Sequence, residues 1–202
     1  MLNEKHAKEF EQKFPTCENA FSMIFNTSTL ACELLDSYKT KWSSISTIGY
    51  TKEQIDSSKE QNGQRVAVIE RMSYIETISV IEFCTKLMVD TLQVKSLQDI
   101  KKNLDKESKK RKDFHIYLRN IMNESQKINL IPQSSFDKWH NLIVLRNCCI
   151  HNNTIPEKDE DVTIEDITIH YKKEKQIHDD LLFIPKLTEK VVNLYKEWID
   201  AL

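Results

Sequence analysis

Two glycines and four prolines in 202 residues constrain this chain more than any other feature. The six together are about 3% of the sequence, where average usage supplies roughly 12%. Sheet-rich folds use both residues at their many tight turns, so the shortage predicts an all-α protein. The expected form is an up-and-down bundle of long helices. Apolar residues at 40% and charged ones at 30% place the chain among globular proteins. The length suits one domain spanning 1–202. A formal net charge of -2 argues against indiscriminate coating of nucleic acid but leaves room for a local basic patch. No apolar run approaches the roughly 20 residues of a membrane span. The start, Met1-Leu2-Asn3-Glu4-Lys5-His6, lacks a secretory stretch. Five cysteines, including the adjacent Cys148 and Cys149, do not form a disulfide framework. A cytoplasmic protein is expected.

Hydrophobic spacing predicts the elements. A short helix is expected over 2–14 and a longer one over 16–45, with Leu34, Leu35 and Tyr38 on its buried stripe. The polar segment 50–63, closing on Asn62-Gly63, reads as a loop. Residues 64–98 read as a long helix burying Val68, Met72, Ile75, Ser79, Phe83 and Leu87, with a break near 97–103. A third helix runs through Ile100, Leu104, Arg111, Phe114, Leu118, Ile121 and Ile128 to Pro132. The fourth begins with Ser134 as N-cap and Asp137 in a capping-box position. It buries Phe136, Trp139, Ile143 and Ile150 and ends at Asn152 or Asn153. Val162, Ile164, Ile167, Ile169 and Tyr171 alternate with polar neighbours, with a slip at Asp166, which predicts a small strand or hairpin returning through Leu181–Ile184. A last helix over 186–201 buries Leu187, Val191, Leu194 and Trp198.

Charge is segregated along the chain. Residues 101–112 hold seven basic side chains and two acidic ones, whereas 156–180 hold nine acidic side chains and four lysines. A solvated helix face accounts for the first run, but Lys109, Lys110, Arg111 and Lys112 are also candidates to meet a phosphate backbone. The acidic segment is then expected to lie away from that path.

One constellation carries chemical meaning: Arg146-Asn147-Cys148-Cys149-Ile150-His151, followed by Asn152-Asn153. Arg146 interrupts an apolar run, so it must snorkel or meet a partner inside. Glu76 and Glu82 are candidate partners. His151 falls near a helix end, where an imidazolium gains from the carbonyl dipoles. Positions 146 and 151 lie about 140° apart around the axis, while Asn147 and His151 share a face. A structural arginine with a capping histidine would give the same letters. The adjacent cysteines lack zinc-site spacing, so no metal and no cofactor are expected. His115, His140, His170 and His178 form no pattern, and no aromatic platform for single strands is visible.

The Arg146–His151 segment resembles the Arg-polar-x3-His motif of HEPN domains, an all-helical family with many metal-independent RNases. The resemblance extends loosely over most of the chain, with the 162–184 strand region as an elaboration. Where some members carry a Tyr two residues after the His, this chain has Asn153, which removes the basis for carrying over that subgroup's tyrosine modification. The resemblance implies an endoribonuclease in which Arg146, Asn147 and His151 act on RNA; Asn152 and Asn153 are candidates to bind phosphate or sugar, with helix capping as the alternative. The products of cleavage would be a 2′,3′-cyclic phosphate and a 5′-hydroxyl. It also implies a homodimer with a composite site, and a role as a toxin or abortive-infection effector with an antitoxin or defence-complex partner. The alternative is a non-catalytic module of the same kind that binds RNA or nucleotides, or serves as a scaffold.

Overall fold

Thr51 opens the longest element. Its hydroxyl accepts from the Gln54 N–H at 3.3 Å while the Gln54 side chain accepts from the Thr51 N–H at 2.9 Å, a reciprocal cap that satisfies two orphan donors. The computed structural model describes residues 18–43, 48–91, 93–151, 155–175, 177 and 184–202, with Lys8 and Gln12. The elements are α1 (Glu18–Ser43), α2 (Lys52–Thr91), α3 (Lys95–Lys110), α4 (Leu118–Lys127), α5 (Gln133–His151), β1 (Glu160–Ile164), β2 (Ile167–Tyr171) and α6 (Ile184–Ala201). This is an all-α bundle of several long helices with a small antiparallel hairpin before the last helix. The helix expected over 2–14 lies outside the described residues. No described helix is long and apolar enough to cross a membrane.

Several expected boundaries move. The 50–63 segment is helical because Thr51 caps it and α1 packs along α2. Gly63 sits inside the helix, where an added Cβ would meet nothing within 4 Å. α2 ends at Thr91 and α3 begins at Lys95, before the expected break at 97–103, and the anticipated third helix is two helices with a 111–117 connection. Asn120 sets the start of α4 by accepting from the Tyr117 N–H at 3.0 Å. The helix stops at Asn129, whose φ of 59° allows Leu130 N–H to reach the Ser125 carbonyl at 2.9 Å, as in a Schellman cap. Ser134 is not the N-cap of α5. The Pro132 carbonyl receives the Ser135 and Phe136 N–H groups, and Gln133 donates to Asp137 across the first turn.

The core joins α2 to every other helix packed around it. Tyr74, Ile78, Ile81, Cys84 and Met88 are buried, and the Tyr74 hydroxyl donates to the Leu142 carbonyl of α5 at 2.7 Å. On α6, Leu187, Val191, Leu194 and Trp198 are buried as their spacing demands. Trp198 donates to Ser125 of α4 at 2.9 Å. The buried face of α2 is therefore not the expected one: Met72 remains 63% exposed and Phe83 57%, with Val68 and Leu87 also exposed.

The hairpin register pairs Glu160 with Tyr171 and Ile164 with Ile167. The expected slip at Asp166 is the turn itself, and Ile167–Tyr171 pairs with β1; of the expected return Leu181–Ile184, residues 181–183 lie outside the described residues and Ile184 begins α6. Val162, Ile164, Ile167, Ile169 and Tyr171 all point into the core. Asn141 of α5 donates to the Thr163 carbonyl at 2.9 Å. Lys138 binds Glu165, and Lys190 binds both Glu165 and Asp166, clamping the turn to α5 and α6.

Candidate functional site

The site grows from the C-terminal turns of α5. Leu142, Leu145 and Cys149 face the core, which leaves Arg146, Asn147, Ile150 and His151 on the solvent side of the same helix. Arg146 is half-buried where α5 packs on α2. Its Nη2 donates to Ser79 Oγ at 3.1 Å and its Nη1 to Asn147 Oδ1 at 3.1 Å. Its Nε is enclosed and has no hydrogen-bond partner. The candidate carboxylate partners do not meet it: Glu82 pairs with Lys86 at 2.8 Å, and among the described residues no ion pair to Arg146 from Glu76 or any other acid is present. The guanidinium is thus held by neutral acceptors, which fix its position without cancelling its charge.

Asn147 is the link between the two motif ends. It accepts from Arg146, and it also lines a groove with His151. The Asn147 carbonyl oxygen is turned to Arg146, and among the described residues no hydrogen bond joins Asn147 to His151. His151 is exposed at the last turn of α5. The groove occupies about 570 Å³. Val144 and Cys148 form its α5 side, and Pro156, Glu157, Lys158, Glu160 and Tyr171 form the other. The acidic segment therefore does not lie away from the motif: two of its carboxylates share the groove with His151. Glu160 is paired with Lys158 at 2.9 Å. Asn152 and Asn153 lie outside the described residues.

The cysteines have no reactive character here. Burial is the main cause that pushes the Cys149 thiol up to about 12, with Cys148 adding to it. Burial also raises Cys148, with Glu157 contributing. Both stay as neutral thiols and behave as small apolar side chains. Among the described residues no group of three His, Cys, Asp or Glu side chains is placed to hold a metal ion.

The basic run is not part of this assembly. Helix α3, with Lys109 and Lys110, packs on α2 and α4 rather than on α5. Lys110 pairs with Glu107 at 2.7 Å, and Arg111 lines a separate cleft of about 140 Å³ with Asn120, Asn123 and Lys127. Lys112 is exposed in the following connection. What sequence spacing did not reveal is Ser79, whose helical register on α2 brings it to Arg146, and the groove wall supplied by the hairpin. No family model matches this chain, and neither the curated proteins nor the solved structures provide a match.

Proposed function

We propose that the chain is a metal-independent endoribonuclease of the HEPN kind, working as a homodimer with a composite site and serving as a toxin or anti-phage effector. The observation that carries this is the state of Arg146: half-buried, oriented by Ser79 and Asn147, and without a carboxylate partner among the described residues. A purely structural arginine in such a place is expected to have an acid partner, since an unpaired buried charge is costly. An arginine that stabilises a phosphorane needs the opposite, a fixed guanidinium with its charge available. RNA supplies its own nucleophile, the 2′-OH. His151 takes or returns the proton, and its exposed position leaves it within reach of a substrate or a second subunit.

The dimer would form through an exposed face of α2. Val68, Met72, Ser79, Phe83 and Leu87 fall within about 100° of arc on α2, and four of the five are exposed apolar side chains. Ser79 in that stripe holds Arg146, and the exposed Ile150 lies one turn beyond Arg146 on α5. A two-fold pairing of such faces buries the apolar stripe and brings two copies of the motif together.

One observation favours the non-catalytic scaffold instead: Glu157 and Glu160 beside His151 oppose a polyanion. Arg146→Ala and His151→Ala separate the two, by thermal melting beside growth on induction. The nuclease reading expects both variants to lose toxicity, with His151→Ala melting as the parent does. A toxic His151→Ala protein contradicts it.

A further inference from the structure

The groove beside His151 has the dimensions and chemistry of a ligand site. At about 570 Å³ it falls inside the range of roughly 300–1,000 Å³ typical of small-molecule pockets. Its floor is apolar: Cys148 and Tyr171 are buried and Val144 is half-buried. Its rim is polar, with Asn147 and His151 at one side and Glu160 and Lys158 at the other. The Tyr171 hydroxyl, enclosed in the same wall, has no hydrogen-bond partner, so the wall holds a polar group whose capacity is unused. Glu160 is the first residue of β1 and is paired in register with Tyr171, which fixes its backbone against the groove.

We infer that this groove receives the base of the nucleotide adjoining the cleaved phosphodiester, and that Glu160 selects guanine. The inference rests on the ribonuclease reading above for the identity of the ligand. An apolar floor suits the face of a base, and single-stranded RNA is read on base edges that have left the helix. A carboxylate offers acceptors only. Guanine alone among the four bases presents two adjacent N–H donors, N1–H and the 2-amino group, on its Watson–Crick edge. Adenine, cytosine and uracil each place an acceptor beside their donor there, which the second carboxylate oxygen repels. The Glu160 charge, unfavourable toward phosphate, becomes the specificity element. Lys158, now paired with Glu160 on a largely exposed side chain, is freed to meet the ribose-phosphate when guanine takes the carboxylate.

The test is titration of the full-length protein with 5′-GMP, 5′-IMP, 5′-AMP, 5′-CMP and 5′-UMP by calorimetry, beside cleavage of single-stranded oligonucleotides that carry one guanosine or one inosine. Inosine lacks the 2-amino group, so its loss converts two bonds to one. GMP is expected to bind at least about tenfold tighter than IMP and the other nucleotides, and Glu160→Gln to erase that difference without changing the melting temperature. Val144→Phe, which fills the groove and leaves Glu160 in place, is expected to abolish nucleotide binding. Equal binding of all five nucleotides, no binding of any, or undiminished discrimination in Glu160→Gln overturns the guanine pocket. Discriminating GMP binding without any RNA cleavage supports the pocket and overturns the nuclease reading. Cleavage at all four bases alike, unaffected by Glu160→Gln, does the reverse.

Discussion

Arg146 is held in place by neutral side chains, with no carboxylate partner among the described residues. Ser79 and Asn147 accept from two of its nitrogens, and each bond to a charged donor contributes about 1.5–3 kcal/mol. Lysine cannot reproduce that fork. Tyr171 offers a complementary case. Its hydroxyl is buried without a partner, and burial pushes its pKa upward, so at neutral pH it is a neutral phenol carrying an uncompensated desolvation cost. Tyr171→Phe removes that cost while keeping the ring. The expected result is a gain of about 1 kcal/mol, seen as a shift of about 2–4 °C in a thermal melt. A loss of stability would mean that the hydroxyl has a partner in solution.

At the scale of elements, α2 and the hairpin show where local signals decide and where they mislead. Gly63 lies in the solvent-facing interior of a helix with open space at its Cβ position. Gly63→Ala should therefore stabilise by about 0.5–1 kcal/mol, measurable as a higher urea midpoint with an unchanged slope. The hairpin turn depends on charge instead. Lys190 and Lys138 hold the Glu165 carboxyl below its usual range by hydrogen bonding. Because the folded value is depressed, this stabilisation is present above the unfolded pKa and is lost as the pH falls through the folded one. Glu165→Gln should then cost up to about 1 kcal/mol at neutral pH, given the partial exposure of the pair, and progressively less as the pH is lowered below the unfolded carboxyl's pKa toward 2. Denaturant melts of both proteins at the two pH values check this.

The same elements explain what was legible in the sequence. The all-helical class followed from six glycines and prolines, and the core positions of α6 from its 3–4 spacing. The alternation at Val162–Tyr171 was visible too. Its turn was not, because Glu165-Asp166 carries no glycine or asparagine, and lysines 25 and 27 residues away in sequence hold it. The α2 stripe was read in the wrong phase: Met72 and Phe83 recur at core spacing but face outward. A periodic apolar stripe reports a face that avoids water, whether the chain or another copy of it provides the cover. Thr51-x-x-Gln54 has the spacing of the cap that starts α2 early, a sign that the reading of 50–63 from Asn62-Gly63 did not use. The placing of Arg146 and Asn147 late on one helix was readable from spacing, but the link of Arg146 to Ser79 required the register of two residues 67 apart in sequence.

For the whole molecule, the proposed dimer would pair the exposed α2 stripe and the Arg146–His151 edge of α5 with those of a second copy. Phe83→Glu places a charge in that stripe at an already exposed position, so the monomer should melt within about 0.5 kcal/mol of the parent. Light scattering should show the dimer converted to monomer, with RNA cleavage lowered at least tenfold. The most direct measurement of the central claim is cleavage of total RNA by the purified protein in EDTA, with the new ends mapped. The account predicts 2′,3′-cyclic phosphates and 5′-hydroxyls from the parent protein and no cleavage from folded His151→Ala. Loss of cleavage in EDTA, 3′-hydroxyl ends, or undiminished cutting by His151→Ala would contradict it.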